Sequence, residues 1–431
     1  MKTLIKNVTV LTVNKDNEII SNADVVIDGQ IIAYAGPKKQ WQEEFSQVIE
    51  GQGNMVMPGF VNAHCHAAMT LFRSYADDLP LMEWLEKKIF PTESRLQGED
   101  VYWGTMLAIA EMLKSGTTTF ADMYFFMDDV ARAVEESGIR AVLSRGLTST
   151  GNDGGEEGLR ENEEFVKNWH GKADGRITAM LGPHAPYTCS VSFLQKVLAV
   201  REKLDVPLQI HLAETHDEVE QIQAQYGVSP VKHLKNAGLL ESPVLAAHCV
   251  HLSTEDMEIL QEYDVRIAHN PGSNLKLGSG IAPVPELLQR GVTVGLGTDG
   301  AASNNNLDML EEMRLAALLH KGACLDATVI SAEEALAMAT RESARAVFLP
   351  KTGMISPGKK ADLLLIDLQK VHLTPRHNPA SLLVYAAQPS DIKMVMVDGK
   401  ILCRDGELLT MDEEKIIYHA EKRAKHLLAG I

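Results

Sequence analysis

The chain of 431 residues is 45% hydrophobic and 23% charged, the composition of an ordinary globular protein, and its length suits one large barrel plus a smaller unit. Lys+Arg at 41 against Asp+Glu at 58 gives a net charge of −17, which disfavours a general nucleic-acid or anionic-membrane partner. Five scattered cysteines without a C-x-x-C pair argue against a disulfide framework or a cysteine-built zinc site, and no apolar run approaches the ~20 residues of a membrane span.

Residues 1–57 read as short strands and turns (LIKNVTVLTV, ADVVIDGQ, IIAYAG). Lys6, Asn7 and Asn14 interrupt the opening stretch before a signal-peptide core forms, so a cytoplasmic protein is expected. From 58 to 350, eight β-rich runs alternate with helical patterns: MPGFVNAH, TTTFADM, RAVLSRGL, RITAMLGPHAP, PLQIHLAE, PVLAAHCVHL, VRIAHNP and VTVGLGTDG. Trp103, Met106, Leu107, Ala110 and Leu113 form one helical stripe; Phe193, Val197, Val200 and Leu204 form another. Ser253 is placed to cap a third helix. This α/β alternation predicts a (β/α)8 TIM barrel. A doubly wound open sheet is the competitor, but no G-x-G-x-x-G turn follows the first strand. Residues 351–431 return to short strands, with Asp-Gly pairs marking hairpins, before a charged helical tail from Asp412. The two β-rich ends are expected to assemble one small composite β-sandwich. No low-complexity segment is present, and no repeat beyond the β/α alternation.

In a barrel the functional side chains sit where strands end. The first strand ends in "AHCH": in extended chain His64 and His66 share one face and Cys65 takes the other. Alone, the pair fits a metal site or merely the solvent end of a strand. His184 follows the fourth run, His211 and Glu214 the fifth, His248 the sixth, His269 the seventh and Asp299 the eighth. With only 15 histidines in the chain, that concentration favours a metal. His64, His66, His211 and Asp299 offer three imidazoles and a carboxylate, a set that suits Zn²⁺ with one position open to water. Such an ion lowers the pKa of water to roughly 7. Glu214 then stands where a proton carrier is needed, and neutral His248 where it can hold or polarise hydroxide. The role of His269 stays open.

"PGFVNAHCH", "HLAETHDE", "AAHCVHL" and "GLGTDGAASNNNLDM" resemble the amidohydrolase superfamily, in its aminohydrolase branch, over nearly the whole chain. The resemblance implies a distorted barrel and one divalent metal per chain, most consistent with Zn²⁺. Binuclear relatives use a carboxylated lysine after the fourth strand, and ITAMLGPHAPY has none. It further implies hydrolytic deamination at C6 of an adenine nucleoside such as 5'-methylthioadenosine, S-adenosylhomocysteine or adenosine, and a homo-oligomer. By the same resemblance Glu93 contacts the ribose hydroxyls, Trp84 walls the pocket and His184 binds substrate. Arg145 and Arg160 receive an amino-acid tail, and Ser303 touches the nucleoside. Rival readings are an aminohydrolase or chlorohydrolase acting on guanine, another purine or a triazine, a cyclic amidase, and a catalytically dead barrel. The missing lysine opposes the cyclic amidase, and the intact ligand set opposes the dead barrel.

Overall fold

The computed structural model describes residues 2–79, 81–150 and 154–429. Each of the eight β-rich runs carries a barrel stave: Phe60–Cys65, Thr117–Tyr124, Arg140–Leu147, Ile177–Ala179 continued by Gly182–Pro183, Leu208–Leu212, Val244–His248, Arg266–His269 and Val294–Leu296. All are parallel to their neighbours and nearly all of their residues are buried, as expected of strands covered by helices on one side and packed against each other on the other. The first four staves form one hydrogen-bonded group and the last four another. A parallel bridge from Leu181 to Leu208 joins the groups on one side. On the other, Asp299 N–H donates to His64 O at 3.0 Å and Thr298 N–H to the Asn62 side chain at 3.0 Å. The seam between first and last stave is thus closed by strand-end and side-chain bonds, which distorts the barrel and draws Asp299 beside His64.

Both helical stripes are found. Trp103, Met106, Ala110 and Leu113 are buried on the helix Gly98–Lys114, while Phe193 and Val197 are buried on Val191–Leu204. Ser253 caps Thr254–Glu262, its hydroxyl accepting from Asp256 N–H at 3.1 Å while the Asp256 carboxylate accepts from Ser253 N–H.

The terminal segments build one nine-stranded sheet. Its two halves meet where Leu363–Asp367 runs antiparallel to Asn54–Pro58. Period-two alternation divides the sheet's side chains between two cores. Val56, Leu363, Leu365, Met394 and Met396 join Ile5 and Val25 in a small core of their own, whereas Met55, Met57, Leu364, Ile366 and Val395 face the barrel's core. Ile32 N–H bonds Lys359 O and Ala361 N–H bonds Gln30 O, at 2.9 and 2.8 Å, bringing the outermost N-terminal hairpin back against the C-terminal half. The sheet therefore closes on its own core as a composite sandwich. Positive φ at Asp398 and Gly399, and at Asp405 and Gly406, makes the two expected Asp-Gly hairpin turns. At the barrel's foot, Arg140 is buried with Asp362 and Asp398, at 2.7 and 2.5 Å. This clamp fixes the sandwich to the N-terminal ends of the strands and leaves the opposite rim free. Among the described residues no helix is long and apolar enough to cross a membrane.

Candidate active site

At the free rim, five side chains from four strand ends converge in a buried site able to hold a metal ion: His64, His66, His211, His248 and Asp299. Asp299 Oδ1 lies 3.2 Å from His66 Nε2 and 3.6 Å from His64 Nε2. His211 Nε2 lies 3.3 Å from His66 Nε2. Each imidazole is held from behind through Nδ1: His66 by Met123 O at 2.6 Å, His211 by His184 O at 2.7 Å, His248 by Asn274 Oδ1 at 2.8 Å and His64 by the Gln209 amide at 2.7 Å. Such backing fixes the rings and turns every Nε2 inward. Ser273 and Ser303 hydroxyls donate to Asp299 Oδ2 at 2.6 and 2.8 Å, leaving Oδ1 for the centre.

A divalent cation fits this donor set. His64 Nε2 is buried without a hydrogen-bond partner, an arrangement costly in a metal-free protein and natural for a ligand atom. Burial holds the His64 imidazole down to about 4 and His211 well below its ordinary value, so both are neutral and ready to ligate. For His66 burial acts the same way, but the Asp299 hydrogen bond and charge prevail and raise it to about 9. A proton and a metal therefore compete for the His66–Asp299 pair. The Gln209 amide nitrogen faces His64 Nδ1 at 2.7 Å; ligation of His64 through Nε2 would put the ring proton on Nδ1 and require the amide to turn its oxygen there.

Above this centre opens a cavity of about 370 Å³, lined by His66, His184, His211, His248, Asp299 and Glu214 together with Trp84, Glu93, Tyr124 and Ser303. Glu214 Oε2 is 3.9 Å from His248 Nε2, and burial raises its carboxyl above the usual range. Burial pushes Glu93 up to about 7, with Tyr124 opposing the rise. The short helix Leu81–Trp84 puts the buried Trp84 on the cavity wall. Ser303 lines the cavity with its hydroxyl already given to Asp299. Arg145 instead lines a neighbouring chamber of about 530 Å³, which shares Phe90, Glu93 and Phe125 with the first. There its guanidinium meets Glu161 at 2.9 Å. Arg160 is not brought to either chamber. Its side chain is 67% exposed and 3.7 Å from Glu157 one turn earlier, because its helix turns that face to solvent. His269 is buried in the barrel wall, its Nε2 3.2 Å from His320 Nε2, and does not line the cavity.

Residues 55–402 match the amidohydrolase family. The chain belongs to that family. Over 427 residues, 99% of this chain and 98% of the relative, it is 55% identical to the 5-methylthioadenosine/S-adenosylhomocysteine deaminase of Pelotomaculum thermopropionicum. Among solved structures it superposes on an adenosine deaminase from Xanthomonas campestris with bound zinc, at a TM-score of 0.94, 34% identity and coverage of 99% and 98% of the two chains. It also superposes on the zinc complex of the atrazine chlorohydrolase TrzN from Arthrobacter aurescens, at 0.92 and 26% identity, covering 98% and 100%. Within an amidohydrolase chain, the supporting residues Gln209, Ser273, Asn274 and Tyr124 escaped the sequence reading. They sit in or just past the β-rich runs, but nothing in residue type or spacing separates them from ordinary buried polar groups.

Proposed function

We propose that this amidohydrolase removes the C6 amino group of adenine nucleosides, 5'-methylthioadenosine and S-adenosylhomocysteine first among them, giving the inosyl product and ammonia. The observation that carries the reading is one cavity lined by His66, His211, His248 and Asp299, with buried Glu214 beside His248 and Glu93 on its wall. The deaminase relative, similar end to end, supports the substrate class.

In this reading His64, His66, His211 and Asp299 hold one zinc ion, which when bound supplies Lewis-acid activation of water. Glu214, its proton affinity raised by burial, takes the proton of the attacking water and delivers it to ring N1. The water's oxygen bonds to C6, His248 and Asp299 steady the tetrahedral centre, the proton left on that oxygen passes to N6, and the C6–N6 bond breaks as C6=O forms and ammonia leaves. Glu93 receives the ribose diol, His184 and Trp84 hold the base, and Arg145 faces the 5' substituent from the adjoining chamber. Residues 58–350 carry the chemistry and the flanks support it, in a cytoplasmic homo-oligomer.

The test is ammonia release by zinc-loaded protein from adenosine, 5'-methylthioadenosine, S-adenosylhomocysteine, guanine and a chlorotriazine. Turnover of the adenine nucleosides is expected. Preference for guanine, or chloride release from the triazine, would replace the reading. Glu214→Gln should keep its zinc and lose at least ~10²-fold in kcat.

A further inference from the structure

Glu218 is 4% exposed on the first turn of the helix His216–Tyr226, and its carboxylate is aimed backwards at the chain that carries Glu214. One oxygen accepts the Ala213 N–H and the other the Glu214 N–H, each at 2.9 Å. Ala213 has φ of 50°, a left-handed conformation that a non-glycine residue holds only when its surroundings enforce it. The enforcement comes from two sides. Ala213 O accepts N–H bonds from Val250 and His251 at 3.0 and 2.9 Å, in the loop that follows His248. The amides are held by Glu218. The Glu214 carboxylate itself stands 3.9 Å from His248 Nε2, beyond hydrogen-bond length, so no bond to His248 anchors it and the position of its backbone bears on its aim.

We propose that Glu218 is a positioning residue for Glu214, a bidentate clasp that fixes the strained turn at Ala213 and thereby points the proton-carrying carboxylate across the cavity at His248. The inference rests on the reading of Glu214 as proton carrier. A displacement of about 1 Å at a reacting group costs about 10²-fold. In Glu218→Gln the amide keeps one acceptor and sets a donor against the second N–H. In Glu218→Asp the charge stays but the carboxylate is one methylene short of the amides.

The experiment is steady-state kinetics with 5'-methylthioadenosine on zinc-loaded Glu218→Gln, Glu218→Asp, Glu214→Gln and the Glu214→Gln/Glu218→Gln pair, with zinc per chain measured in each. Both Glu218 variants should keep their zinc and lose 10- to 100-fold in kcat, with KM within threefold. Adding Glu218→Gln to Glu214→Gln should cost less than threefold more, since the group being aimed is already gone. Wild-type kcat in either Glu218 variant overturns the inference, as does loss of zinc in both or full multiplication of losses in the pair. Undiminished kcat in Glu214→Gln alone would instead overturn the reading of Glu214.

Discussion

At the scale of single residues, the proposed substrate contacts divide between the two chambers. Glu93 lines the same cavity as His66, His211, His248 and Asp299, and the ribose diol is common to all three candidate substrates. Glu93→Ala is therefore expected to lower kcat/KM for all of them. Arg145 lines the adjoining chamber, and only S-adenosylhomocysteine carries a carboxylate on its 5' arm. Arg145→Ala should penalise that compound by about 10- to 150-fold relative to 5'-methylthioadenosine, the effect of losing one hydrogen bond to a charged group. Arg160, solvent-facing beside Glu157, should be replaceable by alanine with all three values within about twofold. Comparing kcat/KM for the three compounds across these variants checks each expectation, and equal losses for both thio-nucleosides in Arg145→Ala would assign Arg145 a structural role.

At the scale of elements, two buried contacts hold pieces of the molecule in register. Arg140, on the third barrel strand, is bonded to Asp362 and Asp398 from the terminal sheet, all three nearly fully buried. Arg140→Met would leave Asp362 buried without its cation and Asp398 with Lys360 alone, at 3.0 Å, and breaking one side of a buried ion pair typically costs about 3–5 kcal/mol. Denaturant unfolding should show that loss, and a change under ~1 kcal/mol would contradict it. The second contact joins the seventh barrel strand to the helix Met309–Cys324 through His269 and His320. Burial holds His320 down to about 4 against an ordinary 6.5. A group whose folded pKa is depressed leaves the native state short of a proton that the unfolded chain binds. Stability therefore falls as pH drops from about 6.5 towards 4, by up to roughly 3 kcal/mol for this one group. His320→Gln should flatten the dependence of Tm on pH in that window, and a slope equal to wild type would show that His320 titrates freely.

At the scale of the whole molecule, the metal site ties together strands that are far apart in sequence. His64 and Asp299 belong to the two staves that meet at the seam without a regular ladder. An ion held there bonds across that seam in the folded state only, so it stabilises the fold by linkage. Chelation is expected to lower Tm by several degrees, and zinc to restore it. His66→Ala, which removes one ligand, should lower zinc content and show a smaller response to added zinc. An identical Tm with and without metal would separate the ion from the fold.

The sequence by itself determined the barrel, its eight staves and the ring of histidines at their ends. Those features are written in local periodicity and in short motifs whose residues share a strand end, as in "AHCH" and "HLAE". It also led to Glu93 and Trp84, because the resemblance carried them across. Tertiary structure alone decided which arginine approaches the chambers: Arg145 and Arg160 are alike in type and differ only in the face their elements turn inward. It alone paired His269 with His320, a contact between residues 51 positions apart in the chain. And it alone placed Gln209 behind His64 and Glu218 behind Glu214, since a supporting contact is defined by where a side chain ends in space, and no spacing along the chain encodes that.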